Sequence, residues 1–118
     1  MDRHNWATVK EERLNPLMSR WVVHTPAMTI ARLRLLKGAV VPVHQHHNEQ
    51  VTMLKSGALR FDFPDFPDSP VTLAPGDVLV IPPNRPHSVE TLEESLAEDL
   101  FTPAREDWIR GDDAYLRG

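Results

Sequence analysis

Residues 38–57, GAVVPVHQHHNEQVTMLKSG, constrain this chain more than any other stretch. Their spacing is Gly38-x5-His44-x-His46-x3-Gln50-x6-Gly57. His44, His46 and Gln50 share one parity, and in a β-strand residues of one parity point to one face. Two imidazoles and an amide oxygen are therefore expected to project into the same space. A β scaffold presents ligands to a divalent metal in this way. Glu49 has the opposite parity and is the alternative to Gln50 as ligand. His47 is expected in a hairpin turn. Two histidines two residues apart are ordinarily surface or core residues. The bracketing glycines, and a third histidine further on, turn the reading toward a metal.

That third histidine closes a second pattern, Gly76-x5-Pro82-x-Asn84-x2-His87. Together the two stretches resemble the two signature motifs of the cupin superfamily, a small β-barrel fold. The first motif fits at every fixed position but one, Gln50, where the family usually carries Glu. The second departs at Asn84, where Gly is usual, and at Thr91, where Asn is frequent. Asn tolerates φ > 0 nearly as well as Gly, so the turn is expected to survive. The resemblance implies an all-β, cupin-type double-stranded β-helix (jelly-roll) barrel. It also implies one divalent metal held by His44, His46, Gln50 and His87.

Composition agrees with this and narrows the partners. The 118 residues suffice for one domain with a core, read here as residues 1–118 with a polar N-terminal extension over 1–15. There are no cysteines, so disulfides and cysteine-zinc sites are excluded. The net charge of −4 gives no basic field for nucleic acid. No signal peptide and no membrane-length apolar run is evident, so the expectation is a cytoplasmic protein without membrane contact. Eleven prolines and five glycines suit short strands and many turns. Strands are expected over residues 20–24, 28–36, 40–43, 51–55, 58–63 and Val71–Leu73, as a buried strand over Val78–Ile81, and in pieces over 89–98. Ser56-Gly57 is expected to be the turn of a hairpin joining 51–55 to 58–63. Residues 62–70 read as an acidic, proline-rich loop. Trp6 and Val9 are expected to pack on the barrel or on a partner. His24 reads as a strand-surface residue, and Arg32 and Arg34 as solvated or paired. N-terminal strands often mediate dimers in small cupins, which implies a homodimer.

The C-terminal stretch DLFTPAREDWIRGDDAYLRG is the second informative region. Asp99 and Phe101 share a parity, and Arg105 lies just beyond Pro103, which ends the strand. The ordinary reading is an Asp99–Arg105 ion pair and a core Phe101. Yet this Asp, Phe and Arg, after the His87 strand, resemble one cupin group closely. These are the pectin-degradation cupins, which open unsaturated uronate rings. The resemblance runs from about residue 20 to 116. In that group the corresponding residues line a pocket whose metal is bound by three His and one Gln. It implies that Arg105 holds a substrate carboxylate by a two-pronged contact, Asp99 moves the proton and Phe101 forms an apolar wall. A neutral ligand set leaves the +2 charge uncancelled, which favours a small anionic substrate such as a sugar acid. Nickel, zinc, iron, manganese and cobalt all remain open. So do two other classes: a cupin-type metal-dependent dioxygenase, and a non-catalytic sugar- or metal-binding cupin.

Overall fold

The computed structural model describes residues 1–117. It contains eight strands and two short helices: β1 (Glu12–Asn15), β2 (Met18–His24), β3 (Thr29–Leu35), β4 (Val40–His44), β5 (Glu49–Asp62), β6 (Val71–Leu73), β7 (Val78–Ile81), β8 (His87–Thr102), α1 (Glu106–Arg110) and α2 (Ala114–Arg117). Side-chain alternation places the core. In β3, Thr29, Ala31, Leu33 and Leu35 are buried while Ile30, Arg32 and Arg34 lie on the other face.

All pairings are antiparallel, and two long strands organise them. The first half of β5 pairs with β7 and with the second half of β8, which continues to β3, β2 and β1. The second half of β5 pairs with β6 and with the first half of β8, which continues to β4. Two sheet faces thus share β5 and β8 and pack on one another. Leu33 and Leu35 of β3 join Val41 of β4 and Phe101 of β8 in one buried cluster. Leu54, Phe61, Leu73, Ile81 and Ala97 form a second. This is the expected all-β jelly roll. Among the described residues no helix is long and apolar enough to cross a membrane.

Local expectations are corrected by the register of β5 and the length of β8. Ser56-Gly57 is not a hairpin turn, because β5 runs through it with irregular register between Leu54 and Leu59. Residues 58–63 therefore do not fold back on 51–55. Gly57 adopts φ 91°, and a Cβ there would collide with the Glu94 carbonyl and Ser95. Glycine serves a bulge here, letting one strand pass from one sheet face to the other. Residues 89–98 are not strand pieces but the middle of β8. β1 takes up the last four residues of the segment 1–15, with Leu14 buried. Finally, the chain ends in two helices that were not expected.

Those helices are fastened by charge. The Trp108 ring of α1 meets the guanidinium groups of both Arg20 and Arg105, each 4.4 Å from its centroid. Arg20 pairs with the buried Asp113 and, at 3.1 Å, with Glu12. Arg117 joins the same two carboxylates at 3.0 and 3.3 Å. Burial alone would push the Asp113 carboxyl up, but Arg117 and Arg20 outweigh it and hold it below the usual range. The C-terminal segment is thereby set against β1 and β4, beside the site described next.

Candidate metal centre

His44 ends β4, His46 stands in the connection that follows, Gln50 is the second residue of β5 and His87 opens β8. His44 and His87 are direct cross-strand partners. The shared parity of His44, His46 and Gln50 does bring them together, but across the connection between β4 and β5, two strands that do not pair with each other, rather than along one strand. His47 lies in a bend of that connection and not in the expected hairpin turn, because β4 pairs with β8 rather than with β5, and Glu49 is exposed. Asn84 adopts φ 60°, as its glycine-like position requires. Its backbone N–H donates to the His46 carbonyl at 2.8 Å, tying the turn that precedes His87 to the turn that carries His46.

The three imidazoles share one arrangement. Nδ1 of His44 lies 2.8 Å from the Pro42 carbonyl, that of His46 3.0 Å from the Asn48 carbonyl, and that of His87 2.7 Å from the Arg85 carbonyl. A carbonyl only accepts, so each Nδ1 carries the proton and each Nε2 presents a lone pair. Backbone partners of this kind fix the tautomer of metal-ligating histidines. The donor atoms lie within 4.8 Å of one another, so the three histidines could hold a metal ion.

Two observations test the fit of a cation. His87 Nε2 is buried without a hydrogen-bond partner among the described residues, a costly state unless something fills it. His46 Nε2 lies 3.1 Å from Gln50 Oε1. The Gln50 amide is oriented by Thr52, whose hydroxyl accepts from Gln50 Nε2 at 2.9 Å and donates to Asp99 Oδ1 at 2.6 Å. Oε1 therefore faces His46 as an acceptor. A neutral His46 has one proton for two acceptor oxygens, so one of its contacts sets lone pair against lone pair. With the proton on Nδ1, that contact is the one to Gln50. A cation shared by the two atoms removes the repulsion.

Electrostatics keep the donors neutral. Burial, with His87 next, lowers the pKa of His44 to about 4. Burial, with Arg105 and His87 next, lowers that of His46 to about 4. Burial lowers His87 as well. Protons compete with a metal for these lone pairs, so affinity falls only as pH drops through the ligand pKa values. With His44 and His46 lowered to about 4 and His87 lowered as well, metal affinity is expected to hold to a lower pH than with unperturbed histidines, which would begin to lose it near about 6.5. Calorimetric titration of the metal-free protein on either side of that value checks it. A decline already under way at pH 7 would contradict the account.

A cavity of about 50 Å³ adjoins the histidines, lined among others by Gln50, Asp99, Phe101, Arg105 and Tyr115. Burial raises the Asp99 carboxyl to about 6, against the lowering effects of Thr52 and Arg105. Phe101 is buried, with its ring edge-on to His46 at 5.7 Å. Arg105 is buried but does not pair with Asp99. Its Nε and Nη2 bind Asp107 at 3.0 and 2.8 Å, and Nη2 also reaches the Tyr115 hydroxyl at 2.7 Å. The two-pronged edge expected to take a substrate is thus occupied by Asp107, two residues along the same turn. Burial opposes the Arg105 charge, but Asp107 and Tyr115 more than offset it and raise its pKa.

Sequence reading missed Thr52, Asp107 and Tyr115. Thr52 shares the parity of Gln50 and was accessible to the same argument. Tyr115 is brought to the site only by the fold of the C-terminus, which sets its ring 4.9 Å from that of His44.

Comparison with known proteins places this architecture. The cupin domain model matches residues 31–100, and the chain belongs to the cupin family. It is similar to KdgF from Halomonas sp., with 30% identity, a TM-score of 0.75 and coverage of 84% of this chain and 92% of that one. An RmlC-like cupin from Shewanella frigidimarina aligns with a TM-score of 0.80 at 23% identity, over 89% of this chain and 93% of that one. The polyketide cyclase RemF from Streptomyces resistomycificus aligns at 0.73 with 18% identity, over 87% and 79%. The last two share the fold alone. No curated protein sequence matches the chain.

Proposed function

We propose that the protein is a metal-dependent enzyme that opens the ring of unsaturated uronate sugars. His44, His46, His87 and Gln50 would hold one divalent ion. The observation that carries the reading is the chain from Gln50 through Thr52 to Asp99, which puts a carboxyl raised to about 6 beside a wholly neutral donor set. A proton-transfer group near the working pH is what general acid–base chemistry needs. The similarity to KdgF from Halomonas sp., at 30% identity over most of both chains, supports the same reading.

A bound divalent ion would supply Lewis acidity toward a ring or hydroxyl oxygen of the sugar. Asp99 takes the proton of the anomeric hydroxyl as the bond from the anomeric carbon to the ring oxygen breaks, and returns it to carbon as the released enolate becomes a ketone. Phe101 presents an apolar wall. Arg105 favours an anionic substrate through its charge, with Nη1 as the nitrogen not engaged by Asp107 or Tyr115. A space of about 50 Å³ takes an ion and a few waters rather than a whole sugar. The uronate therefore enters carboxylate first, its remaining ring at the mouth, where His44 and His46 keep partial exposure.

Incubating the protein, loaded in turn with nickel, zinc, iron, manganese or cobalt, with unsaturated uronates should remove the absorbance of the conjugated double bond. No turnover with any of these metals would end the reading. Oxygen uptake by the iron-loaded protein would instead indicate a dioxygenase, and tight binding with unchanged sugar a non-catalytic cupin.

We further infer a homodimer. Val23, Ile30, Leu100, Val51 and Val80 are successive cross-strand partners and form an apolar row on the outer sheet face. Val80 and its neighbour Val78 are 56% and 62% exposed, so β7 is not the buried strand expected but buries only the face that carries Ile81. A contiguous apolar patch of this kind supports self-association. Light scattering should give twice the 13.4 kDa chain mass, and Val80→Lys with Val78→Lys should shift it to the monomer. A monomeric wild type would contradict this.

A further inference from the structure

We propose that the Tyr115 hydroxyl is a substrate-binding donor, acting with Arg105 on the carboxylate of the ligand. The inference rests on the uronate reading above and adds a residue to it. Counting protons leads to it. A phenol has one proton to donate and lone pairs to accept with. Tyr115 Oη accepts from Arg105 Nη2 at 2.7 Å and, more distantly, from Trp108 Nε1 at 3.4 Å. Both partners are donors without any acceptor capacity. Neither can take the phenol proton, and no other group among the described residues bonds the hydroxyl. Tyr115 lines the cavity with Arg105, so an acceptor entering there finds this proton unclaimed.

Arg105 supplies the second half of the argument. Guanidinium recognises a carboxylate best through a two-pronged edge, and Asp107 already holds the Nε/Nη2 edge. Nη1 has no hydrogen bond among the described residues. A carboxylate has two oxygens to satisfy. Nη1–H and the Tyr115 O–H are two free donors on adjoining groups, and together they replace the fork that Asp107 has taken. Asp107 and the Trp108 ring then serve as positioning groups: one fixes the guanidinium in its plane and the other covers its face at 4.4 Å.

Calorimetry with glucuronate, a saturated and unreactive uronate, tests this on the metal-loaded protein. The neutral methyl glucoside is the control. Tyr115→Phe keeps the ring beside His44 and removes only the hydroxyl. It should weaken glucuronate about 10–100-fold, the effect of losing one hydrogen bond to a charged group. Metal content and glucoside affinity should not change. Equal affinity of wild type and Tyr115→Phe for glucuronate would overturn the proposal, as would an equal loss for the neutral glucoside. If wild type itself fails to prefer glucuronate to the glucoside, the uronate reading falls and the proposal with it. Wild type also offers a test that needs no variant, because Tyr115 is the only tyrosine. Protein labelled with carbon-13 at the phenol carbon gives one tyrosine resonance, which glucuronate should move and the glucoside should not. An unmoved resonance while glucuronate binds would overturn the proposal.

Discussion

His46→Ala is expected to strip the purified protein of most of its metal while leaving it folded. His46 donates at the point where two lone pairs, its own Nε2 and Gln50 Oε1, stand 3.1 Å apart. Removing the imidazole deletes one donor and takes away the contact that makes a cation favourable there. Loss of an outer-shell partner typically weakens metal binding ~10–100-fold, and loss of a ligand itself should exceed that. His46 is half-buried in a connection, outside both buried apolar clusters, so the barrel should persist by circular dichroism. His87→Ala should lose metal equally, since its buried Nε2 has nothing else to bond among the described residues. Elemental analysis of the two variants beside wild type decides it. Full retention of metal in both would remove the site.

Asp99→Asn is expected to slow uronate ring opening by ~10²–10⁴-fold, the usual contribution of a general acid–base group. Metal content should stay near wild type. Asn keeps an oxygen to accept from Thr52, so Thr52 still orients Gln50. Stability should not suffer from the lost charge. The folded-state pKa is raised by burial from 3.8 to about 6, so folding disfavours the ionised form. The favourable contribution of the neutral form is complete below 3.8 and is lost as pH rises through about 6. At pH 7 a neutral Asn therefore relieves a cost instead of removing a support. Thermal melting and turnover are to be measured on the same preparation. Unfolding of Asp99→Asn with metal present would show that Asp99 serves the fold.

Much of this site was legible because its spacing is local. His44, His46 and Gln50 lie within seven consecutive residues, and Asn84 sits three residues before His87, so parity and turn chemistry reach all of them. Asp99 and Phe101 were likewise given as neighbours by parity. The reading failed where the decisive partner is distant. Gly57 looks like a hairpin glycine until Glu94 and Ser95 are seen pressed against it, 37 and 38 positions along. The fate of Arg105 turns on Asp107 and Tyr115, and these are positioned by helices too short to announce themselves through periodicity. Even so, α1 carried signals: Glu106 and Asp107 in its first turn, Arg110 in its last and Gly111 at its end in the left-handed conformation. Only the pull of an all-β pattern hid them.

The central claim is that three histidine Nε2 atoms and the Gln50 oxygen surround one metal. A crystal of the protein grown with nickel, with data collected at the nickel absorption edge, tests this most directly. The account predicts a single anomalous peak ringed by Nε2 of His44, His46 and His87 and by Oε1 of Gln50. A peak bound instead through Glu49 or through histidine Nδ1, or no peak between these side chains, would contradict it.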